Sequence, residues 1–370
     1  MLLNGISQDI ESAVSMLQTT QKVIIVTHVN ADPDALASAC AMYKIVQSLN
    51  AHSNVRVLIP EGVNQEGKKI YELCRDLGVR IVVVKKFSDL EEIEEKQLDL
   101  CIIVDAASFE QLRPVKDYIK QKCEHILILD HHHFQDFREL NTIPKTVCIG
   151  NETHYSSTSE ITFLFLEKVL GRIDLESLKK ITTILLAGVL SDTKRFQRIA
   201  KNTFHMVANM IKYGADYETA LKMVVVERPL ASRIARIKCV LRHRGFKIRI
   251  KGKDVYIAIS NVGAFESDCA TFLITLGYDI VFVLTDDEKL KAIRLVYRGR
   301  EDVIKQLDVD IYTNFVQKLI EVFGGGGGGH KAAGGAVLRI YDFKSAITQL
   351  LKAMDSVSEI GVVEIVEEKV

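Results

Sequence analysis

The sequence predicts an α/β protein with an N-terminal parallel-sheet domain that has helices on both faces, and a smaller C-terminal α/β domain across a cleft. Two observations predict this class. With 370 residues and 48% hydrophobic content, the chain can form two separate cores. In its first part, short runs of Val, Ile and Leu alternate with segments of helical periodicity, as they do around a parallel sheet.

Hydrophobic periodicity predicts the elements of the N-terminal half in order. Strands are predicted at residues 22–27, 56–59, 79–84, 98–104 and 125–129. Helices are predicted at residues 7–19, 35–49, 65–77, 91–96, 157–170 and 175–190. After residue 133 the alternation stops, so we expect no further strand in this sheet.

The composition favours a cytoplasmic protein. The 48 basic and 48 acidic residues balance and favour no class of partner. No basic region of a secretory signal begins the chain, and no apolar run reaches the roughly 18 residues of a membrane span. The seven cysteines include no Cys-x-x-Cys pair, which favours reduced thiols.

The first strand is followed by His28, Asp32 and Asp34 within a short loop. Pro33 disfavours the α conformation at Asp32, so an extended turn is expected before the next helix. In such a turn the two carboxylates can point to different places. A lone Asp-Pro-Asp more often starts a helix, but the histidine four residues upstream favours a binding loop.

Acidic and imidazole side chains also follow two later strands. Asp105 follows the strand at 98–104, and Asp130-His131-His132-His133 follows the strand at 125–129. Open α/β sheets bind ligands at the carboxyl ends of their strands. Each segment alone has a simpler explanation, because an aspartate can cap a helix and a histidine run can be a surface tract.

Asp192 completes the candidate set at the end of the helix predicted at 175–190. The helix macrodipole opposes a carboxylate there, and a metal ion would compensate it. Converging carboxylates repel one another unless cations neutralise them, and oxygen and imidazole ligands suit Mn²⁺ or Mg²⁺. The candidate ligands outnumber those that one ion needs, which favours a two-metal site. These ligands are His28, Asp32, Asp34, Asp105, His131 and Asp192, with Asp130 and His132 beside them.

These residues resemble the motifs of the DHH phosphoesterases over about residues 20–200. The matching motifs are His28…Asp32-x-Asp34…Ser38, then Asp105, then Asp130-His131-His132, then Asp192-Thr193. The family includes RecJ-like exonucleases, nanoRNases that also act as pAp phosphatases, cyclic-dinucleotide phosphodiesterases and manganese pyrophosphatases. Two positions depart from the pattern: Ala37 stands where glycine is common, and Lys194 stands where a small residue is frequent.

The resemblance implies two Mn²⁺ ions, with Mg²⁺ or Co²⁺ as substitutes, that share Asp105 as a bridging ligand. The first ion would take His28 and Asp32 as well, and the second would take Asp34, His131 and Asp192. The resemblance also implies a catalytic group of Asp105, Asp130 and His132, in which His132 contacts the scissile phosphate and Asp130 orients a neighbouring ligand.

The C-terminal half contains a predicted hairpin at 246–250 and 255–260, further strands at 280–284 and 290–297, and a basic run from Arg228 to Lys253. Such a run is usually a solvated helix face, and here it can also be a track for a polyanion. The tract Gly324–Gly329, followed by His330, can be a flexible linker or a loop that approaches phosphate closely.

This tract resembles the glycine-rich loop of the DHHA1 domain, which follows the DHH domain in nanoRNases and RecJ-like nucleases. The resemblance extends to about residue 345 and implies a substrate-binding group of Arg294, Arg298, Gly327, Gly328, Gly329 and His330. Gly299 replaces a serine that is common in the family. Manganese pyrophosphatases lack this domain type, which disfavours them.

The sequence therefore predicts a catalytic domain at 1–205, a helical basic linker at 206–240 and a substrate-binding domain at 241–370. The predicted activity is Mn²⁺-dependent hydrolysis of short single-stranded RNA or DNA or of a small nucleotide, most simply as an oligoribonuclease. Alternatives are pAp or cyclic-dinucleotide hydrolysis, RecJ-like DNA degradation, or a non-catalytic nucleotide-binding module. A homodimer is possible, and no membrane contact is expected.

Overall fold

The structure is a computed structural model that describes residues 2–92, 97–106, 108–132, 146–150, 154–225 and 228–365. The chain divides into two compact units, Met1–Val226 and Glu227–Val370. The α/β class and the parallel N-terminal sheet predicted from the sequence are confirmed.

The first unit is built on a six-stranded parallel sheet in the order β3-β2-β1-β4-β5-β6. Its strands are β1 (Lys22–Val26), β2 (Asn54–Pro60), β3 (Ile81–Val84), β4 (Leu98–Val104), β5 (Cys123–Leu129) and β6 (Thr146–Ile149). Its helices are α1 (Leu2–Thr19), α2 (Pro33–Leu49), α3 (Lys68–Asp76), α4 (Lys116–Lys122), α5 (Thr158–Glu167), α6 (Leu175–Asp192), α7 (Thr203–Lys212) and α8 (Tyr217–Val224).

This sheet is buried on both faces, which explains its nearly continuous apolar strands. Along β4, Cys101 and Ile103 belong to one core, whereas Leu100 and Ile102 belong to the other. Helices α2, α5 and α6 pack together in the second core. The largely apolar α2 lies against β1, β2 and β4, and the largely apolar α6 packs against α2 and α5.

The first unit differs from the sequence predictions at two segments. The expectation of no strand after residue 133 is wrong, because β6 pairs in parallel with β5. Its four residues are too short to show a clear periodicity. The charged helix predicted at 91–96 overlaps a 3₁₀ helix at Phe87–Glu92, and residues 93–96 lie outside the described residues.

The second unit is built on a seven-stranded sheet in the order β11-β12-β10-β9-β8-β7-β13. Its strands are β7 (Arg244–Ile250), β8 (Lys253–Asn261), β9 (Ile280–Asp287), β10 (Ala292–Gly299), β11 (Gly325–His330), β12 (Ala333–Leu338) and β13 (Val363–Glu364). Its helices are α9 (Leu230–Arg242), α10 (Glu266–Thr275), α11 (Glu301–Leu307), α12 (Gln317–Phe323) and α13 (Phe343–Asp355). All strand pairs are antiparallel except β8 with β9.

The glycine tract forms an edge strand, so it is neither the predicted loop nor the alternative of a flexible linker. Residues Gly325–His330 pair with β12 in a regular antiparallel register. The two backbones lie close together: a Cβ atom at Gly327 would lie 2.6 Å from the Cβ atom of Ala336, and one at Gly329 would lie 2.5 Å from the carbonyl oxygen of Ala333. The close approach of the two strands therefore requires glycine at positions 327 and 329, whereas no atom lies within 4 Å of a Cβ atom at Gly326 or Gly328.

Candidate metal centre

The candidate site lies at the carboxyl edge of the first sheet, between β1 and β4. These strands are neighbours, but the chain leaves β1 toward β2 on one side and leaves β4 toward β5 on the other. Open α/β sheets bind ligands at such a reversal point. His28 lies just beyond β1 and Asp105 just beyond β4, and His28 Nε2 lies 3.8 Å from Asp105 Oδ2.

Asp32 begins helix α2 and also faces His28. Its Oδ1 atom accepts hydrogen bonds from the backbone N–H groups of Asp34 at 3.0 Å and Ala35 at 3.1 Å, and it lies 3.7 Å from His28 Nε2. His28 Nδ1 lies 2.7 Å from the carbonyl oxygen of Val29, so a ring that donates from Nδ1 keeps its Nε2 lone pair for a ligand. The helix-start and ligand interpretations of Asp32 are therefore compatible.

Asp34 is fully buried in the first turn of α2. Its carboxylate accepts hydrogen bonds from the backbone N–H groups of Thr158 at 2.7 Å and Ser159 at 2.9 Å, at the N-terminus of α5. The positive end of the helix macrodipole stabilises a carboxylate in this position. Thr158 Oγ1 also donates to Asp105 Oδ1 at 3.1 Å, so this helix start orients two candidate ligands.

Asp105 lies between two imidazoles. Its Oδ2 atom faces His28, and its Oδ1 atom lies 3.7 Å from His131 Nε2. Its backbone φ is +57°, a left-handed value that few residues other than glycine adopt. Its backbone N–H donates to the carbonyl oxygen of Leu129 at 2.9 Å, which helps to hold this strained conformation, of a kind that clusters at functional sites.

Asp192 reaches the cluster from the end of α6, and its Oδ2 atom lies 3.1 Å from His131 Nε2. Gly188, one turn earlier, permits this approach. A Cβ atom at Gly188 would lie 2.1 Å from Ser159 Oγ and 2.8 Å from Asp34 Oδ1. The packing of α6 against the buried carboxylate therefore requires glycine at this position.

Asp130 is fully buried and bonds to His132. Its Oδ1 atom accepts from the backbone N–H of His132 at 3.0 Å and lies 2.8 Å from His132 Nδ1. The side chain of His132 is 52% exposed. Asp130 therefore orients His132, as expected for a residue beside the ligands. His133 lies outside the described residues.

The described residues contain three overlapping groups whose candidate ligand atoms lie within 4.8 Å of one another. The groups are His28, Asp32 and Asp105; then Asp34, Asp105, His131 and Asp192; then Asp105, Asp130, His131 and His132. Asp105 belongs to all three. The structure thus brings together every residue of the predicted ligand set, and the assignment of these residues to two ions stays a prediction.

The donor set fits hard divalent cations, because it combines carboxylate oxygens and imidazole nitrogens without a thiolate. Two buried polar atoms, Asp130 Oδ2 and His131 Nε2, have no hydrogen-bond partner among the described residues. The 3.1 Å approach of His131 Nε2 to Asp192 is an ion-pair distance without hydrogen-bond geometry. A cation at His131 would satisfy its nitrogen and neutralise the carboxylates around it.

Burial and mutual repulsion raise the pKa of three of these carboxyl groups. Burial, followed by the charge of neighbouring carboxylates, raises the pKa of Asp34 and Asp105 well above the ordinary range. Burial, followed by the charge of Asp32, raises the pKa of Asp192 to about 7. For Asp32 itself, burial acts upward, but the hydrogen bond and charge of His28 lower its pKa. A bound cation would favour the ionised forms of the three raised groups.

The metal-free protein is therefore expected to lose stability as pH rises from 5 to 8. An aspartate in the unfolded chain titrates near about 3.9, whereas the pKa of Asp192 in the folded protein is about 7. Between these values the folded protein binds more protons than the unfolded chain, so the free energy of unfolding falls with pH, by roughly 2 to 3 kcal/mol from this group. Urea denaturation in EDTA at several pH values measures this fall.

Saturating divalent metal should remove most of this pH dependence, because the cations replace the protons. A metal-free protein that becomes more stable between pH 5 and 8 would contradict the described electrostatics.

In the second unit, Arg298 and His330 lie on one face of the sheet. β10, β12 and β11 are neighbours in that order, and Arg298 pairs with Ala333, which pairs with His330. Residues paired across antiparallel strands point to the same face. Arg294, four residues before Arg298 on the same face, bonds to the carboxylate of Glu266 at 2.7 Å.

The glycines of β11 contribute to a cavity of about 350 Å³ on this part of the sheet. Gly327 lines it together with Arg294, whereas Gly328, Gly329, Arg298 and His330 are not among its lining residues. The predicted substrate-binding residues thus share one sheet region, but a single cavity does not collect them.

The basic run from Arg228 to Lys253 is neutralised in part. Arg236 bonds to Asp268 through two nitrogens, Arg244 pairs with Glu364 at 2.7 Å, and Arg249 pairs with Asp254 at 2.7 Å. These acids are distant in sequence or just beyond the run, so the sequence pattern overstated the free positive charge. The residues of the run lie in α9 and the following hairpin of the second unit.

Three residues at the site were not singled out by the sequence motifs. Thr158 and Ser159 hold Asp34, and their only signal is a position inside the capping box that begins at Ser157. The third residue is Gly188, inside α6. Its signal is a glycine in an otherwise apolar helix interior, which often marks a close approach.

Residues 22–189 match the model of the DHH family, N-terminal domain. These residues form a DHH-family phosphoesterase domain. The resemblance found in the sequence motifs is therefore confirmed for this part of the chain. The matched DHH-family segment runs from the start of β1 almost to the end of α6, and it includes all of the candidate ligands except Asp192.

The chain also has relatives whose similarity extends beyond the matched segment. An uncharacterised protein of Methanocaldococcus jannaschii is 29% identical over 314 residues, which cover 85% of this chain and 86% of that protein. The cyclic-di-AMP phosphodiesterase of Geobacillus thermodenitrificans is 30% identical over 234 residues, which cover 61% of this chain but 33% of that protein.

A solved structure of an exopolyphosphatase-related protein from Bacteroides fragilis aligns with a TM-score of 0.57 and 17% identity, over 95% of this chain and 96% of that chain. At this identity, the likeness shows a common fold. No helix within the described ranges of the chain combines the length and hydrophobicity that a membrane span requires.

Proposed function

We propose that this protein is a two-metal phosphoesterase that hydrolyses short nucleotide substrates, most simply oligoribonucleotides, with Mn²⁺ as the preferred ion. The position of Asp105 supports this proposal most directly, because one of its carboxylate oxygens faces His28 and the other faces His131. A carboxylate placed in this way can bridge two ions, and paired ions of this kind serve phosphoryl hydrolysis.

The ligands of the two ions would be the residues on either side of Asp105. Asp32 would join His28 at one ion, and Asp34 and Asp192 would join His131 at the other. When bound, divalent ions polarise phosphoryl oxygens and lower the pKa of water. The N-terminus of α5 would hold the carboxylate of Asp34 in place.

His132 would bind the scissile phosphate. The hydrogen bond that His132 Nδ1 donates to Asp130 raises the pKa of His132, against the lowering effect of burial. The raised pKa favours the imidazolium form, which donates charge-assisted hydrogen bonds to phosphate oxygens. Since Asp130 occupies Nδ1, the Nε2–H group of this half-exposed ring is the donor for substrate.

The second unit would bind the part of the nucleotide beyond the scissile phosphate. Arg298 has no carboxylate partner among the described residues; its guanidinium donates to the carbonyl oxygen of Tyr297 at 3.1 Å. The exposed backbone of β11 lies on the same sheet. A cation, an imidazole and exposed backbone N–H groups together suit a phosphate or nucleobase edge.

Cyclic-dinucleotide cleavage is the second candidate. It is favoured by the 30% identity to a cyclic-di-AMP phosphodiesterase. The same metal centre would act on either phosphodiester, and the binding residues outside the centre would decide between them. A non-catalytic module is disfavoured, because burying several carboxylates is costly without a cation.

A substrate panel tests this function. Purified protein with Mn²⁺ should be assayed against labelled RNA and DNA from dinucleotides to 24-mers, pAp and cyclic di-AMP. We expect the fastest hydrolysis for short RNA and complete loss in excess EDTA. Cyclic di-AMP as the best substrate would select the second candidate. Rates that survive exhaustive chelation would eliminate the two-metal mechanism.

His330→Ala and Arg298→Ala should each lower kcat/KM for the hydrolysis of di- to pentanucleotides. Each removes a charge-assisted phosphate contact of about 1.5 to 3 kcal/mol, or roughly ten- to hundred-fold in kcat/KM. The measurement is kcat/KM for di- to pentanucleotides divided by kcat/KM for bis-p-nitrophenyl phosphate, a substrate that lacks a second nucleotide. This ratio should fall in both variants. Arg339→Ala, at a basic residue just after β12, is the matched control. An equal loss on both substrates would place these residues in the chemical step instead.

A further inference from the structure

A cavity of about 190 Å³ opens beside the metal centre within the first unit. Its walls include the candidate ligands His131 and Asp192, together with Tyr155, Arg198 and Ile199. Its volume is well below the roughly 300 to 1,000 Å³ of pockets that hold drug-sized ligands. The cavity can therefore hold a small part of a substrate, such as one phosphate, next to the candidate ligands His131 and Asp192.

An unusual turn brings Arg198 to this cavity. Immediately after Asp192 and Thr193, the backbone of Lys194, Arg195 and Phe196 adopts left-handed φ values of +48°, +60° and +67°. Thr193 Oγ1 accepts from the backbone N–H of Phe196 at 3.0 Å and donates to the carbonyl oxygen of Val189 at 2.7 Å. Consecutive left-handed residues that are not glycine are rare and cluster at functional sites.

Further hydrogen bonds fix the segment that follows this turn. The backbone N–H of Arg198 donates to the carbonyl oxygen of Thr193 at 3.0 Å. The backbone N–H of Ala200 donates to Thr203 Oγ1 at 3.2 Å and to Ser156 Oγ. The position of Arg198 relative to Asp192 is thus held by hydrogen bonds on both sides.

The guanidinium of Arg198 is free to bind a ligand. Its side chain is exposed and has no ion pair or hydrogen bond with any residue that the structure describes. Asp192 lines the same cavity, yet the two side chains do not pair. An unpaired arginine beside a site for anionic substrates is suited to bidentate binding of a phosphate.

We propose that this cavity is a substrate subsite in which Arg198 binds a second phosphate, the one next to the scissile phosphate, and Ile199 contacts the attached sugar or base. The inference rests on the proposed phosphoesterase function and adds a specificity residue to it. Lys194, which departs from the family pattern, does not line the cavity, so Arg198 is the basic residue that selects the second phosphate.

The experiment uses three substrates that differ by one phosphate. They are a dinucleoside monophosphate, which has the scissile phosphate alone, and its 5′- and 3′-phosphorylated forms. Wild-type protein should prefer one phosphorylated form in kcat/KM. Arg198→Ala should reduce this preference roughly ten- to hundred-fold, and Arg198→Lys should retain part of it. The matched control is Arg195→Ala, which removes an exposed arginine of the same turn that does not line the cavity and should retain the full preference.

Two outcomes would overturn the subsite. In one, Arg198→Ala leaves the preference unchanged. In the other, it lowers the rates for all three substrates equally, which would assign Arg198 to the scissile phosphate. If wild-type protein hydrolyses none of the three substrates, the proposed hydrolytic function is rejected, independently of the subsite. Calorimetric binding of the same compounds then tests the subsite, and equal affinities of wild type and Arg198→Ala would reject it.

Discussion

Replacement of Asp105 by asparagine should abolish turnover and stabilise the metal-free protein. Asparagine keeps the shape and an oxygen acceptor for Thr158 Oγ1, and it tolerates the left-handed φ of +57° better than most residues. It removes the charge that would bridge two cations. We expect kcat to fall at least about a thousand-fold, because a charge-stabilising group central to the transition state is lost.

The gain in stability has a separate cause. Burial, followed by repulsion from Asp34 and Asp32, raises the pKa of Asp105, so this carboxyl group lowers the stability of the metal-free protein at pH values above the ordinary aspartate range. The amide does not titrate and should therefore raise the free energy of unfolding in EDTA at pH 8. Asp117→Asn, at an exposed residue of α4, should change neither quantity. Normal turnover of Asp105→Asn would exclude a bridging role.

Gly188→Ala should impair both the stability of the first unit and its candidate metal centre. The added Cβ atom would lie 2.1 Å from Ser159 Oγ and 2.8 Å from Asp34 Oδ1. Helix α6 must then move away from α5, or Asp34 must leave the N–H groups that hold it. Overpacking of this kind costs about 1 to 3 kcal/mol, and a displaced ligand should lower kcat/KM by about a hundred-fold.

Gly171→Ala is the matched control for this change. No atom lies within 4 Å of a Cβ atom at Gly171, and its φ is not left-handed. Urea denaturation and the rate of hydrolysis should both be close to wild type for the control and both impaired for Gly188→Ala. Wild-type activity and stability of Gly188→Ala would show that α6 does not need this close approach.

The position of the metal centre was predictable because its ligands follow strands. Three apolar runs end in His28, Asp105 and Asp130, and parallel strands place their carboxyl ends at one edge. No structure is needed to expect that these residues meet. Asp192 was also predictable, because a carboxylate at a helix C-terminus needs a compensating charge.

Other features depend on contacts that periodicity does not encode. Strand β6 is four residues long and follows residues 133–145, which lie outside the described part of the chain. The glycine tract pairs with β12 as an edge strand, and glycine residues carry no hydrophobic pattern that would predict this pairing. Arg198 reaches the cavity beside Asp192 through a left-handed turn, and nothing in the residues from Lys194 to Phe196 favours positive φ.

Metal stoichiometry tests the central claim most directly. Protein stripped with a chelator should be titrated with Mn²⁺ in a calorimeter, for the wild type and for Asp105→Asn. A bridging Asp105 predicts two ions per wild-type chain and fewer than two at comparable affinity in the variant. Asp130→Asn should still bind both ions, because Asp130 bonds to His132 rather than to a cation. A single ion in the wild type, or two ions of full affinity in Asp105→Asn, would contradict the two-metal centre.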